Sequence, residues 1–155
     1  MKRRINLPLL VAGLITFALS SCQKEEFTPF DQPFVHIHHN NSDELRIQAN
    51  RQEEATYYVY LSTKLRYENT TVTFEVTHGA GLTPGVDFEI LTPGNSLVFA
   101  PGIFEMPIHV RWLRNTIDPQ KDNTVVIRLT GADAGFNVGL PGPDGRQSKL
   151  TITKF

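Results

Sequence analysis

The sequence predicts an all-β fold, two sheets packed face to face, and three observations carry that prediction. Over residues 71–112 apolar side chains recur at every second position: Val72, Phe74 and Val76, then Phe88 and Ile90, then Leu97 and Phe99, then Phe104, Met106, Ile108, Val110 and Trp112. A period of two sets one row of side chains on one face of a sheet. The runs are separated by His78-Gly79-Ala80-Gly81, Pro84-Gly85, Pro93-Gly94 and Pro101-Gly102, all turn formers. No amphipathic helix of useful length is visible, so the apolar face of one sheet must be covered by a second sheet.

In chain order, residues 1–21 read as a signal peptide. Lys2, Arg3 and Arg4 form a basic front, residues 9–19 are apolar except for Gly13 and Thr16, and small Ser20 and Ser21 follow. The apolar stretch is short for a helix that spans a bilayer. Residues 22–33 are charged, carry prolines and lack apolar periodicity, which suits a flexible tether. The β-sandwich domain is expected over residues 34–155. Its first strand runs from Phe34 to His38, with Phe34, His36 and His38 on one face and Val35 and Ile37 on the other. Residues 39–43 make a turn, and Leu45 and Ile47 begin a second short strand.

Residues 55–62 are rich in Tyr and Val and form a strong strand. Tyr57, Val59 and Leu61 share one face; Tyr58, Tyr60 and Ser62 share the other. Beyond Trp112, residues 114–123 are a polar loop. Residues 124–130 are a strand with Val125, Ile127 and Leu129 inward. Residues 131–146 are rich in Gly, Pro and Asp and make a long loop with a short element around Phe136 and Val138. Leu150 and Ile152 mark the last strand, and Phe155 is expected to close the core. Seven or eight strands over this length suit an immunoglobulin-like sandwich with Greek-key connections.

With 155 residues the chain is long enough for one domain. Its 15 basic and 16 acidic side chains leave no positive excess for nucleic acid. Cys22 is the single cysteine, which excludes an intramolecular disulfide. Loss of Lys2, Arg3 and Arg4 with the leader would move the formal net charge from −1 to −4, a mildly acidic surface.

Leu19-Ser20-Ser21-Cys22 resembles the bacterial lipobox, which implies cleavage before Cys22 and lipidation of its thiol. One acyl chain anchors marginally, at about 0.8 kcal/mol per buried methylene, and lipoproteins of this class carry more than one. Gln23-Lys24-Glu25-Glu26 resembles the export signal of Bacteroidota surface lipoproteins. That resemblance implies an outer-membrane location with the domain facing the cell exterior.

The order of features from Tyr57 to Ile152 is similar to Calx-beta and related immunoglobulin-like domains. The likeness rests on Val72-Thr73-Phe74-Glu75-Val76, Gly85-Val86-Asp87-Phe88, Leu97-Val98-Phe99-Ala100-Pro101-Gly102, Met106-Pro107-Ile108-His109-Val110, the strand over 124–129, and Leu150-Thr151-Ile152. It covers most of the chain beyond Cys22 and implies an immunoglobulin-like sandwich. Small surface lipoproteins of Bacteroidota often contain such a domain, and the chain resembles them as a whole. Calx-beta domains of ion exchangers bind calcium through clustered acidic residues at one end. Only Asp87 falls in a matching motif here. Trp112-Leu113-Arg114-Asn115 and Thr153-Lys154-Phe155 stand where the other acidic groups would be. Calcium takes six to eight oxygen ligands, so no calcium site is expected. The plainer role for Asp87 is a turn hydrogen bond beside Gly85.

For chemistry, His36 and His38 are the sharpest residues. They project from one strand face two positions apart and could chelate a transition metal, but structural zinc needs four ligands. The favoured role is a polar outer face on an edge strand. No metal and no cofactor are expected; His36, His38 and Asp87 are the candidates for a metal, and Asp43 or Glu44 could join the histidines only if the turn over residues 39–43 folds back. A Gly-x-Ser-x-Gly elbow and a Gly-rich phosphate loop are both missing, and Glu25-Glu26 and Glu53-Glu54 lie in solvated stretches. Catalysis is therefore not expected. Tyr58 and Tyr60 share an outward face on which a sugar ring could stack, with Arg66, Tyr67 and Asn69 following as hydrogen-bond donors. The favoured role for the tyrosines is cross-strand packing on the sheet surface. The chain thus reads as a surface lipoprotein with a non-catalytic binding or structural sandwich, for adhesion, glycan contact or support of a membrane assembly. Its partners would be the membrane, through the lipid, and a glycan or surface protein. A metal- or calcium-dependent binding module is the alternative, and a hydrolase the third reading.

Overall fold

Alternation decides which side chains face inward, and burial follows it strand by strand. In a computed structural model, residues 32–133 and 135–155 are described. The expected signal peptide, Cys22 and the expected tether through residue 31 lie outside the described residues. The strands are β1 (Phe34–His38), β2 (Glu44–Ile47), β3 (Glu53–Ser62), β4 (Thr70–His78), β5 (Phe88–Ile90), β6 (Ser96–Phe99), β7 (Glu105–Trp112), β8 (Thr124–Ala132), β9 (Asn137–Val138) and β10 (Lys149–Lys154). No helix occurs among the described residues.

Two five-stranded sheets result, ordered β5-β7-β3-β1-β9 and β2-β10-β8-β4-β6. The first contributes Val35, Ile37, Tyr57, Val59, Leu61, Ile108, Val110 and Trp112 to the core. The second contributes Val72, Phe74, Leu97, Phe99, Val125, Ile127, Leu129, Leu150 and Ile152. The fold is therefore the all-β sandwich that the period of two predicts. Ten strands stand where seven or eight are expected; the short runs at Leu45 and Ile47 and at Phe88 and Ile90 are both strands, and β9, with two residues, is too short for alternation to mark.

The chain changes sheets early. β1 pairs antiparallel with β3, and β2 pairs parallel with β10 in the opposite sheet. Asn40 and Asn41 make the crossing at φ 52° and 63°, in the left-handed region that asparagine tolerates. Between β4 and β8 the register slips by one at Thr73/Phe74, leaving Thr130 unopposed. This bulge keeps both Phe74 and Leu129 inward.

The register also defines the two ends of the sandwich. Phe34 lies opposite Ser62 and Thr70 lies opposite Phe99. Loops 63–69 and 100–104 therefore leave from the end at which the chain enters β1, here the entry end. Loops 48–52, 79–87 and 113–123 occupy the opposite end.

Phe155 does not close the core. Leu150, Ile152 and Lys154 share the inward parity of β10, so Lys154 takes the last core position and Phe155 is half exposed beneath the Arg46 guanidinium, 4.3 Å from the ring centroid. The Lys154 ammonium sits 3.2 Å from Asp87 Oδ1 and donates to the Leu113 carbonyl at 2.7 Å.

Candidate functional site

Inward packing of Val35, Ile37, Tyr57, Val59 and Leu61 forces the intervening side chains of β1 and β3 onto the outer face of their sheet. Register then makes them neighbours: His36 lies opposite Tyr60, and His38 opposite Tyr58. Their rings form a continuous row. The Phe34 and His36 centroids are 5.4 Å apart, and those of His36 and His38 5.4 Å. His38 stacks on Tyr60 at 4.7 Å with the planes within 12°, and Tyr58 follows Tyr60 at 6.3 Å. Tyr58 keeps 38% of its surface open to solvent. Across β3, Tyr58 faces Pro107 and Tyr60 faces Glu105 on β7. A proline in mid-strand is tolerated because β5 pairs only with residues 110–112 of β7, so Pro107 lies on an open edge.

Two loops fix the tautomers of the histidines. Gln147, held at φ 58°, donates its amide to the Asn41 carbonyl at 3.3 Å and turns its Oε1 to His36 Nδ1 at 3.1 Å. His36 Nδ1 therefore carries the proton, and its Nε2 offers a lone pair. The Asn41 amide donates to His38 Nδ1 at 3.2 Å, so the neutral His38 ring carries its proton on Nε2. Burial lowers the His36 pKa, and the neighbouring His38 lowers it further against the raising hydrogen bond from Gln147. The row thus presents flat rings, one neutral acceptor and one N–H donor side by side.

Toward the opposite end, the same face becomes charged. Arg111 Nη1 bonds Glu89 at 2.8 Å, and its Nη2 bonds Glu54 at 2.8 Å. Thr56 and His109 bridge the two regions with a hydrogen bond of 3.2 Å.

The five residues expected to bind a ligand divide. Tyr58 and Tyr60 stand in the ring row. Arg66, Tyr67 and Asn69 sit in the loop at the entry end, where the Arg66 guanidinium lies 5.1 Å over the Phe136 ring. His36, His38 and Phe34 join the tyrosines instead. Each parity was readable from its own strand, but the pairing of β1 with β3 was not.

Asp87 lies elsewhere, at the opposite end, and is buried. Its Oδ2 accepts the Thr83 amide at 2.9 Å, and its Oδ1 accepts Asn115 at 3.0 Å and the Lys154 ammonium at 3.2 Å. The turn hydrogen bond expected of it is present. The ammonium at its other oxygen was missed because lysine at an inward position breaks the polarity rule. Among the described residues, no group of three or more His, Cys, Asp or Glu side chains is placed to hold a metal. An open hollow of about 570 Å³ at the opposite end, lined by Ala49, Asn50, Arg114, Asn115, Thr116 and Ile117, offers one charged group.

No protein-family model matches the chain, and no curated protein matches it.

Proposed function

We propose that the chain is a lipid-anchored, non-catalytic binding module of the outer membrane that offers the outer face of β1 and β3 to a saccharide. The continuous ring row from Phe34 through His36, His38 and Tyr60 to Tyr58 supports this reading. Flat rings bury the apolar face of a sugar, and polar tips satisfy its hydroxyls. The His36 Nε2 lone pair and the His38 Nε2–H stand at the edge of that row as acceptor and donor. Attachment at Cys22 would hold the module on the cell surface, where glycans are met. The acidic balance of the chain beyond the leader suits a neutral ligand better than a polyanion.

The test is retention on a glycan array. The full-length protein should be retained by a subset of glycans, and the Tyr58→Ala, Tyr60→Ala double variant should lose that retention. Undiminished retention of a correctly folded double variant would move the site off this face.

A metal-dependent module is the second reading, favoured by the 5.4 Å spacing of the His36 and His38 rings. Calorimetric titration with zinc separates the two. The saccharide reading predicts glycan retention that chelators leave intact.

A further inference from the structure

We infer that the entry end of the sandwich is a membrane-docking tip that rests on the lipid surface to which the chain is anchored. The inference rests on the proposed acylation of Cys22. Four large apolar side chains are exposed on the two loops that leave from this end. Leu65 is 57% and Tyr67 86% exposed on one loop; Ile103 and Phe104 are exposed on the other. The loops meet: Arg66 and Glu68 line the same small cleft as Pro101, Gly102, Ile103 and Phe104. Leu61 N donates to the Phe104 carbonyl at 2.8 Å, which ties the second loop to the end of β3. Exposed apolar side chains clustered in this way mark a surface that meets another phase or partner.

The course of the chain selects the occupant. Gln32 and Pro33 are held at this same end, where Asn137 donates its side-chain amide to Gln32 at 2.9 Å and its backbone N–H to Pro33 at 2.9 Å. Gln32 lies ten residue steps beyond Cys22. Fully extended they reach about 35 Å, and as a flexible coil they average about 17 Å. A sandwich whose longest strand has ten residues measures about 33 Å along that strand. Acyl chains on Cys22 would therefore hold the entry end near the bilayer and leave the opposite end a strand-length farther out. Leu65, Tyr67, Ile103 and Phe104 would face the headgroups, a level at which tyrosine is favoured. Arg66, between Leu65 and Tyr67 on the same loop, holds its guanidinium over the Phe136 ring at this end. Shallow burial of such a tip adds to the hold of the acyl chains and fixes the orientation of the ring row above the surface.

The experiment uses the acylated full-length protein in vesicles of phosphatidylcholine and phosphatidylglycerol with brominated acyl chains, which quench tryptophan on contact. Two exposed loop positions are replaced in separate proteins, Tyr67→Trp at the entry end and Val86→Trp at the opposite end. The unsubstituted protein supplies the background from buried Trp112, whose unchanged emission also reports an intact core. The tip predicts that emission from the indole placed at position 67 falls by about half in brominated vesicles, while the probe at position 86 stays at background. Equal quenching at both positions, or none at either in protein whose intact mass carries the acyl chains, overturns the tip and leaves the anchor standing. An intact mass without acyl chains overturns the anchor, and the docking falls with it.

Discussion

Lys154 occupies a core position that its chemistry would forbid without partners. Its ammonium is enclosed with Asp87 and meets Asp87 Oδ1 at 3.2 Å, the Asp87 carbonyl at 3.3 Å and the Leu113 carbonyl at 2.7 Å. Breaking a buried pair from one side leaves a charge with no counterpart and costs about 3–5 kcal/mol. Urea unfolding should therefore show losses of that size for Lys154→Met and for Asp87→Asn taken singly. The double variant should lose much less than their sum, because the two groups form one unit. Burial raises the Asp87 carboxyl, but the Thr83 amide, Asn115 and the Lys154 ammonium outweigh it and hold the group below its ordinary value of 3.8. The stability it contributes is complete above that pH and is lost as pH falls through the lower folded value. Acid unfolding of Lys154→Met should accordingly begin at higher pH than that of the unsubstituted protein. The core holds a second polar device. Trp112 donates its indole N–H to the Tyr57 hydroxyl at 3.0 Å, which lets two large rings with polar tips lie inside.

Among the elements, the turn over Gly79-Ala80-Gly81 joins β4 to the loop before β5 and packs against the start of β8. Gly79 donates to the Thr124 carbonyl and Gly81 to the Asp122 carbonyl, each at 2.8 Å. A Cβ at Gly79 would collide with the Asp122 carbonyl oxygen, which is backbone and has little room to move. Gly79→Ala should lower stability by about 1–3 kcal/mol, read as a lower urea midpoint at unchanged slope. The long strands were legible in the sequence because each carries three or more inward apolar residues: Tyr57, Val59 and Leu61 on β3, Ile108, Val110 and Trp112 on β7. The edges were harder to read. β9 has two residues, and its parallel pairing of Val138 with Val35 is set by the fold around it. From sequence, β10 ends its inward row at Ile152, with Phe155 folded in. A rule that keeps lysine outside hides the true third member. Half of the ring row was legible in the same sense. The outward parity of His36, His38, Tyr58 and Tyr60 is local, whereas the pairing of His36 with Tyr60 is long-range and leaves no mark on either strand.

The sandwich as a whole differs from end to end. Its entry end carries the exposed apolar loops and the point where the chain arrives, and its opposite end carries the Asp87–Lys154 pair and the glycine-rich turn. The ring row lies between them on one broad face, close enough to the entry end for Phe34 to stand beside Ser62. A module anchored at Cys22 would present that face sideways to the surface, accessible to chains of sugar rather than to the bilayer. Saccharide binding on the ring row is tested most directly by a proton–nitrogen NMR titration of the labelled protein with a glycan that the array retains, read at the imidazole and backbone signals. His36 and His38 should shift together with the amides of Tyr58 and Tyr60, while Arg66, Tyr67 and Asn69 stay in place. Shifts confined to the 63–69 loop, or to the hollow around Arg114, would contradict a site on this face.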